Sequence, residues 1–336
     1  MDLEVAVIIP VYNAGRFVEK AVASALAFPE VKEVVLAEDA SPDDSLAVCH
    51  RLAGTDPRIK LVRHPDGGNH GAAATRDLGF ASSSSPFVAF LDADDRFLPN
   101  RFDAERRIFA EHPDADGVYG ATGVEYHDTE GRERFQAQFD HELTTVTQVL
   151  PPERLFSALL GSIKGVGYFH LDALTVRRSA LDRMGPLFDP ALRLHQDTLF
   201  VLRLAHGARL YPGVVGTAVS LRGVHASNRI TANKDLAASK YLLHCRLEDW
   251  SRGVELPRDD RRLIVAKRVY WQMLRARGSF SRTFQLRHFV VHPWLFQWVQ
   301  VREAWLDGVF GRDSTLSRRL RSLAWRTGSN VLSSIS

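Results

Sequence analysis

Cysteine is scarce in this chain: Cys49 and Cys245 are the only two in 336 residues, far apart and in no metal-ligand spacing. That excludes a disulfide framework and a structural zinc site, and points to a reducing compartment. Long apolar runs are also missing. No uncharged apolar stretch of about 18 residues occurs, so no membrane-spanning helix is expected. Near the start, residues 5–9 are strand-like, without the basic region, apolar stretch and cleavage site of a signal peptide. The expectation is a cytoplasmic protein. Internal repeats and low-complexity segments are absent. The one Gly-rich stretch, residues 161–167, fits neither the dinucleotide fingerprint nor the phosphate-loop spacing, and is expected to be a mobile loop.

Net charge is small, +3, but unevenly spread. Residues 234–336 carry 19 Lys and Arg against 9 Asp and Glu, while the first 233 carry 24 against 31. All six tryptophans fall in the basic last third. Two regions with different surfaces are implied, with expected bounds of 1–230 and 235–336.

The most informative segment is a hydrophobic run, Phe87, Val88, Ala89, Phe90 and Leu91, that stops on Asp92, Asp94 and Asp95. Such a run reads as a central strand of a parallel sheet, covered on both faces. Ligands in open α/β sheets bind just beyond the carboxyl ends of such strands. Carboxylates there suit a hard cation; a plain polar turn is the other reading.

The first 95 residues alternate, with strands expected at 4–10, 33–39, 59–63 and 86–91 and helices at 14–28, 43–53 and 71–82. This predicts an α/β fold with a mostly parallel sheet flanked by helices. Asp43 and Asp44 stand where a helix cap is wanted. Beyond them, a helix is expected over 100–111, one strand over 117–126, an irregular segment over 131–140, a strand over 172–177, helices over 179–184 and 197–207, and strands through 208–222. From about residue 235 the pattern is helical, with Leu263, Val269, Tyr270, Met273 and Leu274 at three- and four-residue spacing. Pro293 should break any helix through 284–305, and 314–326 places Leu316, Leu320 and Leu323 on one face.

Four clusters fall at strand ends or helix starts of the first region: Pro10, Val11, Tyr12 and Asn13; residues 38–44; residues 69–77; and Asp92, Ala93, Asp94 and Asp95. All should converge on one sheet edge. Their chemistry is complementary. Tyr12 offers a flat face for a nucleobase, and Asp39 an acceptor for a pyrimidine imide. Arg76 offers a positive fork for phosphate near a helix N-terminus. Asp92 and Asp94 offer oxygens for a divalent cation or a ribose.

These clusters resemble the nucleotide-sugar half of family 2 glycosyltransferases with the GT-A fold. Glu38 stands for the first acid of that family's acidic pair, Ala40 for the usual Gly and Asp77 for the usual Asn, while Asp39, Arg76, Asp92 and Asp94 are intact. The resemblance divides the first region into a nucleotide-binding half, 1–97, and an acceptor half, 98–230. It extends through residues 177–189 to Gln196 and Asp197, where the family's acidic pair supplies the catalytic base. It implies Asp197 as that base, although an aspartate there could also simply cap the helix. Arg222 to Ser227 resembles the family's Arg-x-x-His segment, so His225 is expected at the metal or diphosphate, with a structural histidine as the alternative.

The implied reaction is inverting transfer from a nucleoside diphosphate sugar, most readily a UDP-sugar, to a glycan or lipid-linked glycan. Mn²⁺ or Mg²⁺ would be held by Asp94 with Asp92 and His225, and Pro10, Tyr12, Asn13, Asp39, Arg76, Asp92 and Ala93 would bind the donor. The basic tail, 235–336, suits the inner face of the cytoplasmic membrane. Alternatively its tryptophans pack within the protein or on a second copy. Competing readings are a sugar-nucleotide nucleotidyltransferase and a nucleic-acid- or membrane-binding module. Nucleic acid is not an expected partner: no recognition motif is visible, and the acidic first region repels phosphate backbones.

Overall fold

A computed structural model describes residues 2–226 and 235–275, together with positions 291, 292, 294, 295 and 301. The chain divides into two compact units. The first comprises residues 1–156 and 167–233, the second residues 157–166 and 234–336.

In the first unit, β1 (Val5–Val11), β2 (Val31–Glu38), β3 (Ile59–Arg63) and β4 (Phe87–Phe90) are linked by α1 (Val18–Leu26), α2 (Ser45–Ala53) and α3 (Gly71–Ala81). The four strands are parallel, in the order β3-β2-β1-β4. β1 and β4 are buried almost throughout, which explains why their β-branched and aromatic runs lack a polar face. On α1 the residues Val18, Ala21, Val22 and Ala25 form the buried stripe. Each buried Val contributes about 1.5–3 kcal/mol. Gly79 lets α3 lie directly on β1, since a Cβ there would stand 2.5 Å from Ile8 Cγ2.

The sheet continues through antiparallel β8 (Leu174–Arg177) to β6 (Gly117–Tyr119) and β9 (Leu210–Pro212). A second, three-stranded sheet runs β5 (Arg96–Phe97), β10 (Ala218–Val224), β7 (Ala121–Tyr126). The single strand expected over 117–126 is therefore two. The chain bends at Gly120, where a Cβ would meet Val219 Cγ2 at 3.0 Å, and changes sheets. The remaining helices of this unit are α4 (Asp103–Glu111), α5 (Thr129–Gln136), α6 (Pro152–Ser157, whose last residue falls in the second unit), α7 (Arg178–Asp182) and α8 (Gln196–Gly207). α5 replaces much of the irregular segment expected over 131–140. It buries only Gly131 and Phe135, so it has little apolar period, and it starts on Asp128, which accepts from Gly131 N at 2.6 Å. At α2, Asp44 holds the cap position but Asp43 does the capping, accepting from Ser45 N (3.2 Å) and Gly15 N (3.0 Å).

Arg101 has no exposed surface and anchors the middle of this unit. It forms an ion pair with Glu105, and donates to Asp172 O (2.8 Å), Leu174 O (3.0 Å) and Thr175 Oγ1 (3.2 Å).

In the second unit, α9 (Leu236–Ser251) packs on α10 (Arg258–Arg275). Asp235 caps α9 by accepting from Ala238 N at 2.9 Å. Residues 158–162 form a short π-helical turn with Gly161 at φ 92°, so only 163–167 of the expected loop is irregular, and Ser157 Oγ bonds Asp260 at 2.6 Å. Leu263, Val269 and Met273 are buried as the spacing predicts, while Leu274 is exposed. Trp294 packs, partly buried, against a core cluster of Ala266, Val269, Met273, Leu295 and Val301. Trp298, Trp305, Pro293 and residues 314–326 lie outside the described residues. Among those described, no helix is long and apolar enough to cross a membrane.

Candidate functional site

β1 lies between β2 and β4, so the crossovers diverge on either side of it and leave a crevice at the strand carboxyl ends. The loops after β1, β2 and β4 open there with the start of α3, the loop before α8 and the end of β10, enclosing a cavity of ≈ 620 Å³. Pro10, Tyr12, Asn13, Asp39, Arg76, Asp92, Ala93, Asp94, Asp197 and His225 all line it.

Tyr12 is half exposed in the cavity wall. Asn13 adopts a left-handed φ of 53°, and its N–H donates to Ser41 Oγ at 3.2 Å. Asp39 is buried and accepts from His70 N (2.7 Å), Gly71 N (2.8 Å) and Asn69 Nδ2 (3.0 Å). Its charge thus faces the positive end of α3 and fixes the loop that opens that helix. Asn69 and His70, which also line the cavity, belong to the cluster noted in the sequence but were not singled out there. Ala40 has φ 54°, a region that favours glycine.

Arg76 is 6% exposed and forms an ion pair with Asp92. Burial alone would push its pKa down. Asp92, and behind it Asp197 and Asp172, more than offset this and hold it above the usual value. Its Nε and Nη1 are buried without a protein partner among the described residues. The fork therefore spends one edge on Asp92 and keeps the rest in the cavity wall.

In the acidic loop, Asp94 Oδ2 lies 3.1 Å from His225 Nε2, and the His225 ring stacks on Phe17 at 4.9 Å. Asp95 is buried, accepting from Gly223 N at 2.8 Å. Gly223 must be glycine: a Cβ there would stand 2.2 Å from Asp94 O. Burial, then Asp172, Asp94 and Asp92, push the Asp95 carboxyl far up. Burial also opposes ionisation of Asp172, but His170 beside it, with the Asp95 and Asp92 hydrogen bonds, holds its carboxyl well below the usual range. Asp172 also meets His170 Nδ1 at 2.9 Å and accepts from Asp92 N at 3.2 Å. His170, Asp172 and Gly223 were not foreseen as site residues. The only signal was a His-x-Asp at the start of the strand expected over 172–177.

Two groups of potential metal ligands meet in this loop. Asp94 and His225 touch, and ligand atoms of Asp92, Asp95 and His170 lie within 4.8 Å of one another. Carboxylate oxygens with an imidazole fit a hard divalent cation. Asp92 is already paired with Arg76 and Asp95 is buried on Gly223 N, while Asp94 faces His225.

Asp197 occupies the first turn of α8, which His195 opens at φ 62° without a side-chain cap. Its carboxylate therefore sits where the helix dipole favours a negative charge. Tyr168 braces this turn, its hydroxyl donating to Thr198 O at 2.7 Å. Gln196, in place of the first acid of the expected pair, is buried with Oε1 unpartnered among the described residues.

Residues 6–181, just over half of the 336, match Glycosyl transferase family 2. Succinoglycan biosynthesis protein ExoU of Rhizobium meliloti is 33% identical over 218 residues, covering 61% of this chain and 58% of ExoU. Minor teichoic acid biosynthesis protein GgaA of Bacillus subtilis is 26% identical over 218 residues, covering 62% of this chain and 45% of GgaA. The chain thus spans less than two thirds of the length of these curated relatives. Among solved structures, S. aureus TarS 1-349 in complex with UDP-GlcNAc superposes with a TM-score of 0.58 at 18% identity, covering 96% of this chain and 87% of that one. Mannosyltransferase PcManGT from Pyrobaculum calidifontis, in complex with GDP-Man and Mn²⁺, gives 0.52 at 16% identity, covering 96% and 79%. At these identities the superpositions show the fold alone, and that fold is GT-A. The chain belongs to glycosyl transferase family 2.

Proposed function

We propose that the protein transfers a sugar from a nucleoside diphosphate sugar to a hydroxyl of a glycan or lipid-linked glycan, inverting the anomeric centre. The observation that carries this reading is that Asp197 lines the same cavity as the nucleotide end around Tyr12 and Asp39. The names of ExoU and GgaA, both from surface-polymer biosynthesis, support a glycan acceptor.

In the proposed step Asp197 accepts the acceptor hydroxyl's proton as that oxygen bonds to the anomeric carbon and the bond to the diphosphate breaks. The nucleoside diphosphate leaves. Asp39 and Tyr12 hold the base, and Arg76 keeps Asp92 fixed beside the reacting centre. Asp94, with His225 and Asp92, would hold a Mn²⁺ or Mg²⁺ ion. Its chemistry there would be to neutralise charge developing on the departing diphosphate.

A UDP-sugar is the favoured donor, since Asp39 offers an acceptor to the uracil imide. The test is a thermal-shift screen of UDP-, GDP- and dTDP-sugars with Mn²⁺, followed by identification of the product. Free UDP is expected; pyrophosphate would instead mark a nucleotidyltransferase.

We further propose that the second unit meets anionic lipid electrostatically rather than by insertion, and so brings the site to lipid-linked acceptors at the inner face of the membrane. The excess of Lys and Arg in residues 234–336 supports contact. Trp250, Trp271 and Trp294 are all at least partly buried, which argues against insertion through those side chains.

A further inference from the structure

The transfer step described above leaves His170 and Asp172 unused, yet they are among the most firmly held side chains at the cavity. Asp172 is fully buried. One carboxylate oxygen accepts Asp92 N at 3.2 Å and the other meets His170 Nδ1 at 2.9 Å. Its backbone is pinned by Arg101, which donates to Asp172 O at 2.8 Å and to Leu174 O at 3.0 Å. One buried carboxylate therefore sets both the His170 ring and the loop that carries Asp92.

Two contacts compete for Nδ1 of His170. Asp172 N approaches it at 3.4 Å and Asp172 Oδ2 at 2.9 Å. The shorter one decides: a carboxylate oxygen at 2.9 Å is the better partner, so the proton is assigned to Nδ1. Nε2 is then left for the cavity that His170 lines. A carboxylate that fixes the ring and tautomer of a histidine commonly orients its other nitrogen for a ligand.

The place of that nitrogen follows from the reaction. The anomeric carbon must lie between the diphosphate, beside Asp94 and His225, and the base Asp197. Asp92, two residues before Asp94, pairs with Arg76, which in turn feels the charge of Asp197, so these two side chains link the poles. His170 belongs to this middle group: one of its ring nitrogens lies within 4.8 Å of carboxylate oxygens of Asp92 and Asp95, and Arg222 is near enough to act on its charge. It therefore faces the sugar ring, not the nucleoside.

We infer that His170 is a specificity-determining residue that hydrogen-bonds a hydroxyl of the donor sugar through Nε2, with Asp172 as its positioning residue. This rests on the reading of the cavity as a nucleoside diphosphate sugar site. A hydroxyl both donates and accepts, so it can pair with Nε2 in either protonation state.

The test is calorimetry on the full chain with Mn²⁺, titrating UDP, UDP-glucose, UDP-galactose and UDP-GlcNAc, and GDP with GDP-mannose. The quantity read is the ratio of sugar-nucleotide to nucleotide affinity. In His170→Ala, nucleotide affinity should stay within about twofold of wild type, which also reports an intact fold. The ratio for the preferred sugar should fall about tenfold, as expected for one lost hydrogen bond. His170→Gln, which keeps a polar group at similar reach, should recover part of it. An unchanged ratio, or equal loss for nucleotide and sugar nucleotide, overturns the inference and leaves the donor site standing. Wild-type protein that binds none of these ligands overturns both.

Discussion

Asp94 and His225 are 131 residues apart in the chain, yet Oδ2 of one lies 3.1 Å from Nε2 of the other. The contact ties the loop after β4 to the end of β10, so the first β-α-β half and the later strand enclose one cavity.

The first prediction concerns this pair. Asp94→Ala and His225→Ala should each weaken Mn²⁺-dependent binding of a nucleoside diphosphate sugar about tenfold or more, while binding without metal changes little. Calorimetry with and without Mn²⁺ checks it. Equal affinities for variant and wild type in the presence of metal would remove the residue from the metal site.

Gly223 should tolerate no side chain. Gly223→Ala places a Cβ 2.2 Å from the backbone oxygen of Asp94, besides 2.8 Å from His127 Nε2, so the acidic loop must shift. The expected outcome is a folded protein whose metal-dependent donor affinity is lost to the same degree as in Asp94→Ala. Near-UV circular dichroism reports the fold and calorimetry the affinity.

Asp77 gives a pH signature. Burial pushes its carboxyl up to about 6, against the lowering effect of the Phe188 and Leu187 N–H groups and Arg203. The unfolded value is about 3.9. Because the folded value is the higher one, this group's contribution is complete below about pH 4 and is lost as pH rises through about 6. Asp77→Asn keeps an acceptor for Phe188 N and removes the charge. It should stabilise the protein by about 1–2 kcal/mol at pH 8, with no gain at pH 4. Urea unfolding at the two pH values measures the difference; equal midpoints for the two proteins at pH 8 would contradict it.

Liposome flotation tests the second unit. Binding is expected to vesicles with anionic lipid and not to neutral ones, and to be reversed by salt, since attraction to a charged surface fades within a Debye length. Salt-resistant binding would mean insertion instead, and no binding to either vesicle would dismiss the membrane contact.

Much of this architecture is legible in the sequence, for physical reasons. β1 and β4 are covered on both faces, so their residues are apolar without interruption, and the carboxylates that end them stand out. α5 is hidden because it buries only two residues and leaves its polar faces to solvent. The break at Gly120 depends on Val219, a hundred residues on, and no local pattern announces it. At the site, Tyr12, Asp39 and Asp94 are visible because they follow strand ends. His170 and Asp172 are not, because what distinguishes them is a partner loop 80 residues away that fixes Asp172 against Asp92 N. The commitment of Arg76 to Asp92 is equally silent in sequence, where its fork reads only as a phosphate binder.

The central claim is that Asp197 is the base for sugar transfer in the cavity that binds the donor. The direct measurement pairs calorimetry with turnover in Asp197→Asn. Donor affinity should stay within about twofold of wild type, while release of free nucleoside diphosphate by transfer falls at least ~10²-fold, the usual scale for removing a general base. Turnover at the wild-type rate in Asp197→Asn would contradict the account.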